Sequence, residues 1–558
     1  MGTIPEGYLP PKELWPKRSY DLPEYRSYPQ KLNTTEELID KQVAAGKGGR
    51  IAILFEDKKI PYQALLGMLN KLGSGLRALG IEETDRVALR SPNIPPALVA
   101  NFAVLKIGGI FLPTSGLFSP AEITHVFNNA EVKAVFVAAP LLEGLEKARP
   151  ELKTLKHVIV IGGTPEQQAE FKKKGYLLYQ EVLDGGKPEC DPVRRDRTDV
   201  SVLLYTSGTT GLPKGVAHLQ EEALIVPDGF GKYCWGVKEG DVILSAAPMA
   251  MAAGYSAVAA IPYRFGATVS IFARFTPEGM LEQIQKHKAT ILSALPTAYR
   301  KMLQVPDAEK KYDLSSLRIC TGGGESLTAK TYLDWKAKFG QEIFEGLGTT
   351  EMMYVFISSA ATKKVKPGSI GPAIPGYQLK VVNETGATSK AGEVGQLFAR
   401  GPTGTLYWRD PEKQRAAVKD GWCRAGDMVS MDEDGYIWFL SREDDLIKSS
   451  GYRIGPEEIE DVLVTHPAVA DAGVVGVPDP VMGQKTMAFV QLKQGKAPSD
   501  ALKQELIEFC KGKVAVYKLP RDVGFLDKMP RAAGPGGPGT GKLLRRMLRQ
   551  PEGAKAKA

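Results

Sequence analysis

The stretch Tyr205 to Gly215, YTSGTTGLPKG, gathers the hydroxyls of Thr206, Ser207, Thr209 and Thr210, the glycines Gly208 and Gly211, and the ammonium of Lys214. Glycines let backbone N–H groups converge on one point, and hydroxyls and a lysine add donors, so such a stretch suits the binding of phosphate. It is not a P-loop, because Pro213 precedes Lys214 and Gly215 follows it, where that pattern needs Gly and then Ser or Thr. A flexible surface loop has the same composition, and the stretch alone leaves both readings open. A second match, GGPGTGK at 536–542, has the glycine and lysine spacing, but Leu543 stands where a hydroxyl should reach Mg²⁺. Too few residues follow Lys542 to build a nucleotide-binding sheet after it, so this match is expected to be a decoy.

Elements must hold such a loop in place. Apolar runs rich in Val, Ile and Leu alternate with helix-period segments: RIAILF, then Tyr62 to Leu79, then RVALRS, then Pro95 to Lys106, then GIFLPTS. This alternation predicts a mostly parallel sheet with helices, and AVFVAA, HVIVIGG, VSVLLYTS, TVSIFA and LRICTGGG are further strand candidates. Several end in glycine or hydroxyl residues, at the strand ends where ligands collect in open α/β sheets. After about residue 365, GQLFARGP and GYIWFLS with their turns read as antiparallel. A boundary is placed at the charged run Arg442 to Asp445, a poor core and a good hinge. This gives an N-terminal domain 1–443, with a small antiparallel barrel-like part, and a small mobile α+β cap 444–558 with helices at Pro456 to Thr465 and Asp500 to Lys511. The cluster GPGGPGTG at 534–541 is expected to be a loop.

With 558 residues, 43% apolar and 24% charged, the chain is too long for one core. Its 72 basic and 64 acidic residues leave +8, with the basic residues scattered except near Arg545, Arg546 and Arg549, which suits anionic small molecules at least as well as nucleic acid. Five widely spaced cysteines suggest neither a zinc site nor a disulfide framework. Neither terminus resembles a targeting signal, and the uncharged stretch Ser245 to Tyr263, with Pro248 and Pro262, reads as a buried wall instead of a membrane span. The expected location is cytoplasmic.

The order of motifs is more specific than any one of them. YTSGTTGLPKG, EGLGTTEM at 345–352, WCRAGD at 422–427, SREDDLIKSSGYRIGPEEIE at 441–460 and TGKLLRR at 540–546 together resemble the adenylate-forming superfamily of acyl-CoA synthetases, luciferases and peptide-synthetase adenylation domains. The resemblance runs from roughly residue 50 to 549. It implies that the chain activates a carboxylic acid as its acyl-adenylate and passes the acyl group to coenzyme A, using ATP and Mg²⁺. It assigns Thr206, Ser207, Gly208, Thr209, Thr210 and Lys214 to the β- and γ-phosphates. Gly324, Glu325 and Ser326, with Glu345, Gly346 and Leu347, would flank adenine; Leu347 stands where many members have tyrosine. Thr350 would contact the α-phosphate, Glu351 would hold Mg²⁺, and Asp427 and Arg442 would bind the ribose. Lys542 resembles the family's C-terminal catalytic lysine, although about six extra residues separate Pro530 and Arg531 from Gly541. Asp444 matches the hinge about which the cap turns, and Ser449, Ser450 and Gly451 would edge the path of the coenzyme A thiol.

The text EIFEGLGTTEMMYVFIS looks most like the benzoate-CoA and 2-aminobenzoate-CoA ligases, which implies an aromatic or alicyclic acid. Met251, Ala253, Gly254, Tyr255, Gly323, Gly348 and Tyr354 would line its pocket, and being small or apolar with tyrosine handles they suit a neutral ring. Met251 stands where many members carry an aromatic residue or histidine, and Tyr354 where benzoate ligases often carry histidine, so a medium-length alkyl chain is the alternative. A peptide-synthetase module lacks support, since PMAMAAGYSA offers no aspartate for an α-ammonium group. A luciferase-type oxygenase shares these motifs. An inactive nucleotide-binding scaffold of the same fold is the rival of another class. Monomer and homodimer both remain open.

Overall fold

The computed structural model describes residues 4–206, 212–450, 452–531 and 543–549. The chain separates into two compact units, the first formed by residues 1–366, 371–378 and 399–423, the second by 367–370, 379–398 and 424–558.

Two large sheets build the first unit. In one, the strands lie in the order Lys214–Leu219, Val200–Thr206, Ile110–Pro113, Arg86–Arg90, Val132–Ala138, His157–Ile161 and Leu177–Leu178. All neighbours are parallel except the first two, which form a hairpin. The other sheet runs Val355–Ser358, Ile343–Gly348, Ile319–Gly323, Ile291–Ala294, Val242–Ser245, Thr268–Ile271, Ile51–Phe55 and Lys58–Pro61, antiparallel only at its two edges. Side chains of both sheets share one core cluster. The helix Pro95–Lys106 is buried from Ala97 to Lys106, which is why PPALVANFAVLK is apolar nearly all round. Pro95 and Pro96 start it, where a missing N–H costs nothing. On the surface, helix Pro120–Ala130 begins with a capping box, Ser119 and Glu122 each accepting the other's backbone N–H.

The stretch expected to be a wall is one: helix Ala252–Ala259 is buried except at Ala253, and Ile261, Pro262 and Tyr263 follow it into the core. A methyl group at Gly254 would lie 2.0 Å from the Pro248 carbonyl oxygen, so only glycine fits this approach.

In the second unit, Trp422–Met431 and Ile437–Arg442 pair antiparallel, as the Gly/Asp turns between them require. Further on, Tyr452–Ile454, Ile447–Ser449, Gly483–Leu492 and Val469–Asp479 form a sheet to which Asp522–Phe525 adds in parallel. Helices Pro456–Leu463 and Asp500–Cys510 pack on it through Ile459, Leu463 and Leu506. This mixed α/β architecture, with a smaller α+β part at the C-terminal end, is the fold class that the sequence implied. Among the described residues, no helix is long and apolar enough to cross a membrane.

Candidate active site

The hairpin of the first sheet fixes both flanks of the glycine- and hydroxyl-rich stretch. Thr206 ends one strand directly opposite Lys214, which begins the next, and Tyr205 faces Gly215. A ring nitrogen of His125 meets the Pro213 carbonyl oxygen at 2.9 Å and holds the returning strand. Ser207, Gly208, Thr209 and Thr210 lie outside the described residues.

Along the free edge of strand Lys214–Leu219 runs the segment Leu406–Trp408. Ala217 donates to the Leu406 carbonyl at 2.8 Å, Trp408 donates to the Gly215 carbonyl at 2.9 Å, and Tyr407 lies opposite Val216. The Tyr407 hydroxyl then donates to Glu351 Oε1 at 2.7 Å. Lys413 lies with its Nζ 5.1 Å from the centre of the Tyr407 ring. Burial presses its ammonium below the ordinary lysine range, the adjoining Lys214 presses the same way, and Glu351 and Asp410 oppose them. Lys214 and Glu351, far apart in the chain, are thus brought together, and Tyr407 and Lys413 join them. Sequence reasoning passed over both of these residues, since YWRDPEK has no glycine or hydroxyl pattern to mark it.

Glu351 owes its placement to the second sheet. Strand Ile343–Gly348 lies parallel to Ile319–Gly323, with Gly323 beside Gly346. A methyl group at Gly348 would come within 2.4 Å of the Tyr354 carbonyl oxygen, so the chain can turn back only at glycine. The turn Thr350–Met352 is capped by the Thr349 hydroxyl, which accepts from the Met352 amide. Met353 follows at φ +67, a conformation that a side chain disfavours, with its carbonyl held by Ser256 Oγ at 3.2 Å. Met352 and Met353 point into the core, while Thr350 and Glu351 stay half-exposed.

The adenine candidates cluster at the same strand ends. Glu345 is buried, and its Oε1 accepts the Leu327 amide at 2.9 Å, tying the loop of Gly324, Glu325 and Ser326 to the strand. Gly324 takes φ +85 in that loop. Glu325 has a structural task as well: its Oε1 accepts the Thr297 amide at 2.7 Å, at the start of helix Pro296–Leu303. Leu347 is half-buried opposite Ile357.

Of the pocket candidates, Tyr354 and Tyr255 are buried, each phenol pushed up by burial. Tyr354 sits edge-on to Phe230, centroids 5.0 Å apart at 84°, and to Trp235, 6.2 Å at 86°. Both partners lie on the π-helical segment Pro227–Trp235, a rare geometry common near functional sites and absent from the sequence reading. Tyr255 packs deeper, 6.5 Å from Phe111. Met251, the residue before the wall helix, is 39% exposed.

In the second unit, Asp427 and Arg442 face each other across the antiparallel pair, and Arg442 Nη1 donates to Asp427 Oδ1 at 2.7 Å. Gly426, at φ +77, leaves room for that guanidinium: a methyl there would lie 3.1 Å from Arg442 Nη2. Asp444 is exposed, next to buried Asp445. Ser449 is buried at the end of its strand, and Ser450, at φ +48, donates to the Met482 carbonyl at 2.8 Å. Gly451 and Lys542 lie outside the described residues. On the far side of Lys542, however, Leu543 bridges Arg531, and Arg545 is buried among Asp445, Glu457 and Glu460 at 2.7–3.1 Å.

Two family models match the chain, AMP-binding enzyme over residues 40–408 and AMP-binding enzyme C-terminal domain over residues 458–534. A benzoate–CoA ligase of Thauera aromatica is 33% identical over 529 residues, covering 93% of this chain and 96% of that protein. An acetyl-coenzyme A synthetase of Bacillus subtilis is 34% identical over 531 residues, covering 93% and 90%. Among solved structures, an anthranilate CoA ligase, AuaEII, in complex with anthranoyl-AMP superposes with a TM-score of 0.85 at 30% identity, covering 94% of this chain and 98% of that one. A glutamate on the turn after a parallel strand, hydrogen-bonded to a tyrosine beside the lysine-bearing hairpin, in a chain matched along most of its length, leaves one conclusion: this chain belongs to the AMP-binding enzyme family, the adenylate-forming ligases that join an acid to coenzyme A with ATP.

Proposed function

We propose that the chain is an AMP-forming ligase for a small aromatic or alicyclic acid of the benzoate or 2-aminobenzoate type. The observation that carries the choice of acid is Tyr354, set edge-on against the buried rings of Phe230 and Trp235, an apolar aromatic backing that suits a neutral ring acid while the Tyr354 hydroxyl offers one polar contact. The names of the benzoate and anthranilate relatives support it.

In this reading a carboxylate oxygen of the acid attacks the α-phosphorus of ATP. The bond from that phosphorus to the bridging oxygen breaks, and its electron pair leaves with pyrophosphate. Two anions must be brought together, so cations and N–H donors carry most of the catalysis. Thr206, the 207–210 stretch and Lys214 hold the β- and γ-phosphates, while Thr350 and Lys542 hold the α-phosphate. Gly324, Glu325, Ser326, Glu345, Gly346 and Leu347 flank adenine, and Asp427 and Arg442 take the ribose. Among the described residues no group of three His, Cys, Asp or Glu side chains could cage a metal. Glu351 as a lone carboxylate fits Mg²⁺, which takes the rest of its oxygens from phosphates and water and would offset phosphate charge.

The thiol of coenzyme A then attacks the acyl carbonyl carbon, the bond to the AMP oxygen breaks, and the thiol proton passes to solvent. A cap of residues 444–558 turns about Asp444 between the two steps, after which Ser449, Ser450 and Gly451 edge the thiol's path. A second reading, a medium-length alkyl acid, is favoured by the flexible Met251 standing exposed at the wall helix.

The deciding experiment supplies ATP, Mg²⁺ and coenzyme A with benzoate, 2-aminobenzoate, cyclohexanecarboxylate or short to medium fatty acids and measures AMP release. Preference for the ring acids is expected. Preference for alkyl acids selects the second reading, and no turnover with any acid selects an inactive scaffold.

A further inference from the structure

We propose that Lys413 is a second phosphate-binding cation, which grips the departing pyrophosphate together with Lys214. The proposal deepens the reading above and rests on its placement of the nucleotide phosphates.

Backbone pairing sets up the arrangement. Lys214 and Val216 point to the same side of their strand, and Tyr407 lies opposite Val216. Beyond Trp408 the chain reverses at Arg409, at φ +56, and Asp410 caps helix Pro411–Ala417 by accepting the Lys413 amide at 2.9 Å. Buried Gln414 locks this reversal: its Nε2 donates to the Thr405 and Leu14 carbonyls at 2.8 and 2.9 Å, and its Oε1 accepts the Tyr407 amide at 2.9 Å. Lys413 is thereby folded back over the Tyr407 ring and against Lys214.

Two ammonium groups side by side repel, and a half-buried position strengthens the repulsion. Their carboxylate neighbours do not close ion pairs with them among the described residues: Glu351 accepts from Tyr407, and Asp410 accepts from a backbone amide. A polyanion with oxygens on two phosphorus atoms can meet both ammonium groups at once and relieve that repulsion, and pyrophosphate is such an anion. The favourable contact increases as the bridging bond breaks and charge moves onto the leaving group, which makes it a transition-state contact as well as a binding one.

The test uses the full-length chain with Lys413→Met and Lys413→Arg. Lys413→Met is expected to raise KM for ATP and weaken inhibition by pyrophosphate by about tenfold, the loss of one charge-assisted contact. KM for the acid, the melting temperature and thioester formation from supplied acyl-adenylate should stay unchanged, and Lys413→Arg should recover most of the loss. Unchanged ATP and pyrophosphate parameters in Lys413→Met overturn the proposal, as does an equal loss in the acyl-adenylate half-reaction. Calorimetric titration with inorganic pyrophosphate alone separates this from the functional reading. If no acid turns over, that reading fails, yet a tenfold weaker titration of Lys413→Met still supports the second cation, and an identical titration overturns it.

Discussion

The hydrogen bond from Tyr407 to Glu351 fixes one of the carboxylate's two oxygens. Removing that hydroxyl keeps the ring that carries Lys413, so Tyr407→Phe isolates the orientation of Glu351. The expected result is a rise of about fivefold in the Mg²⁺ concentration needed for half-maximal acid-dependent pyrophosphate exchange, the size of one net hydrogen bond. Melting temperature should change little, and an unchanged Mg²⁺ requirement would show that the phenol does not orient the glutamate. At this scale the motifs were legible where they are contiguous: the stretch around Lys214 and the turn carrying Thr350 and Glu351 declare themselves by glycines and hydroxyls. Tyr407, Lys413, Phe230 and Trp235 did not, because their significance lies in contacts with residues distant in the chain, and tyrosine or lysine in isolation is ordinary surface or core material.

Among the elements, the helix Pro456–Leu463 carries an unusual charge balance. Asp445, Glu457 and Glu460 surround Arg545, and Arg549 adds a second guanidinium on Asp445. Three carboxyls face two guanidinium groups, and burial beside Glu460 and Asp445 pushes the Glu457 carboxyl up to about 8 despite the opposing pull of Arg545. Its folded-state value lies above its unfolded one, so the folded state binds the proton more tightly. The contribution to stability is therefore complete below the ordinary glutamate range and is lost as pH rises toward about 8. Glu457→Gln should flatten the fall in melting temperature of this unit between about pH 5 and 8; a slope identical to the parent would refute the assignment. Some elements were readable as well. Helices at Tyr62, Pro95, Pro456 and Asp500, and strands such as Arg86–Arg90, Val132–Ala138, His157–Ile161 and Val200–Thr206, follow from period and punctuation. The four-residue strands Val242–Ser245, Ile291–Ala294 and Val355–Ser358 escaped, although the equally short Ile110–Pro113 and Thr268–Ile271 did not.

Over the whole molecule, the two half-reactions make separate demands. Asp444 sits exposed in the short turn Glu443–Asp445, between Glu443 and the buried Asp445. Asp444→Pro should cut coenzyme A transfer at least tenfold more than pyrophosphate exchange, because proline fixes φ. Lys542→Ala should abolish the exchange and spare thioester formation from supplied acyl-adenylate. Reversal of either pattern removes the corresponding role. The parallel class of the first unit was legible because alternating strand and helix segments permit few topologies. The two compact units interleave along the chain, and no local run of residues announces that. The bridge between Arg531 and Leu543 bears on the same chemistry. It pairs the two residues that flank positions 532–542, and the entropy of closing a chain between two fixed points changes with its length only as a logarithm, about 0.6 kcal/mol for each doubling. Excising Ala533 to Pro538 should therefore leave the melting temperature nearly unaltered, and any change in exchange rate would measure how much tether the terminal lysine uses. On that arithmetic, the number of residues between Arg531 and Leu543 weighs little on stability and is left to be set by the chemistry.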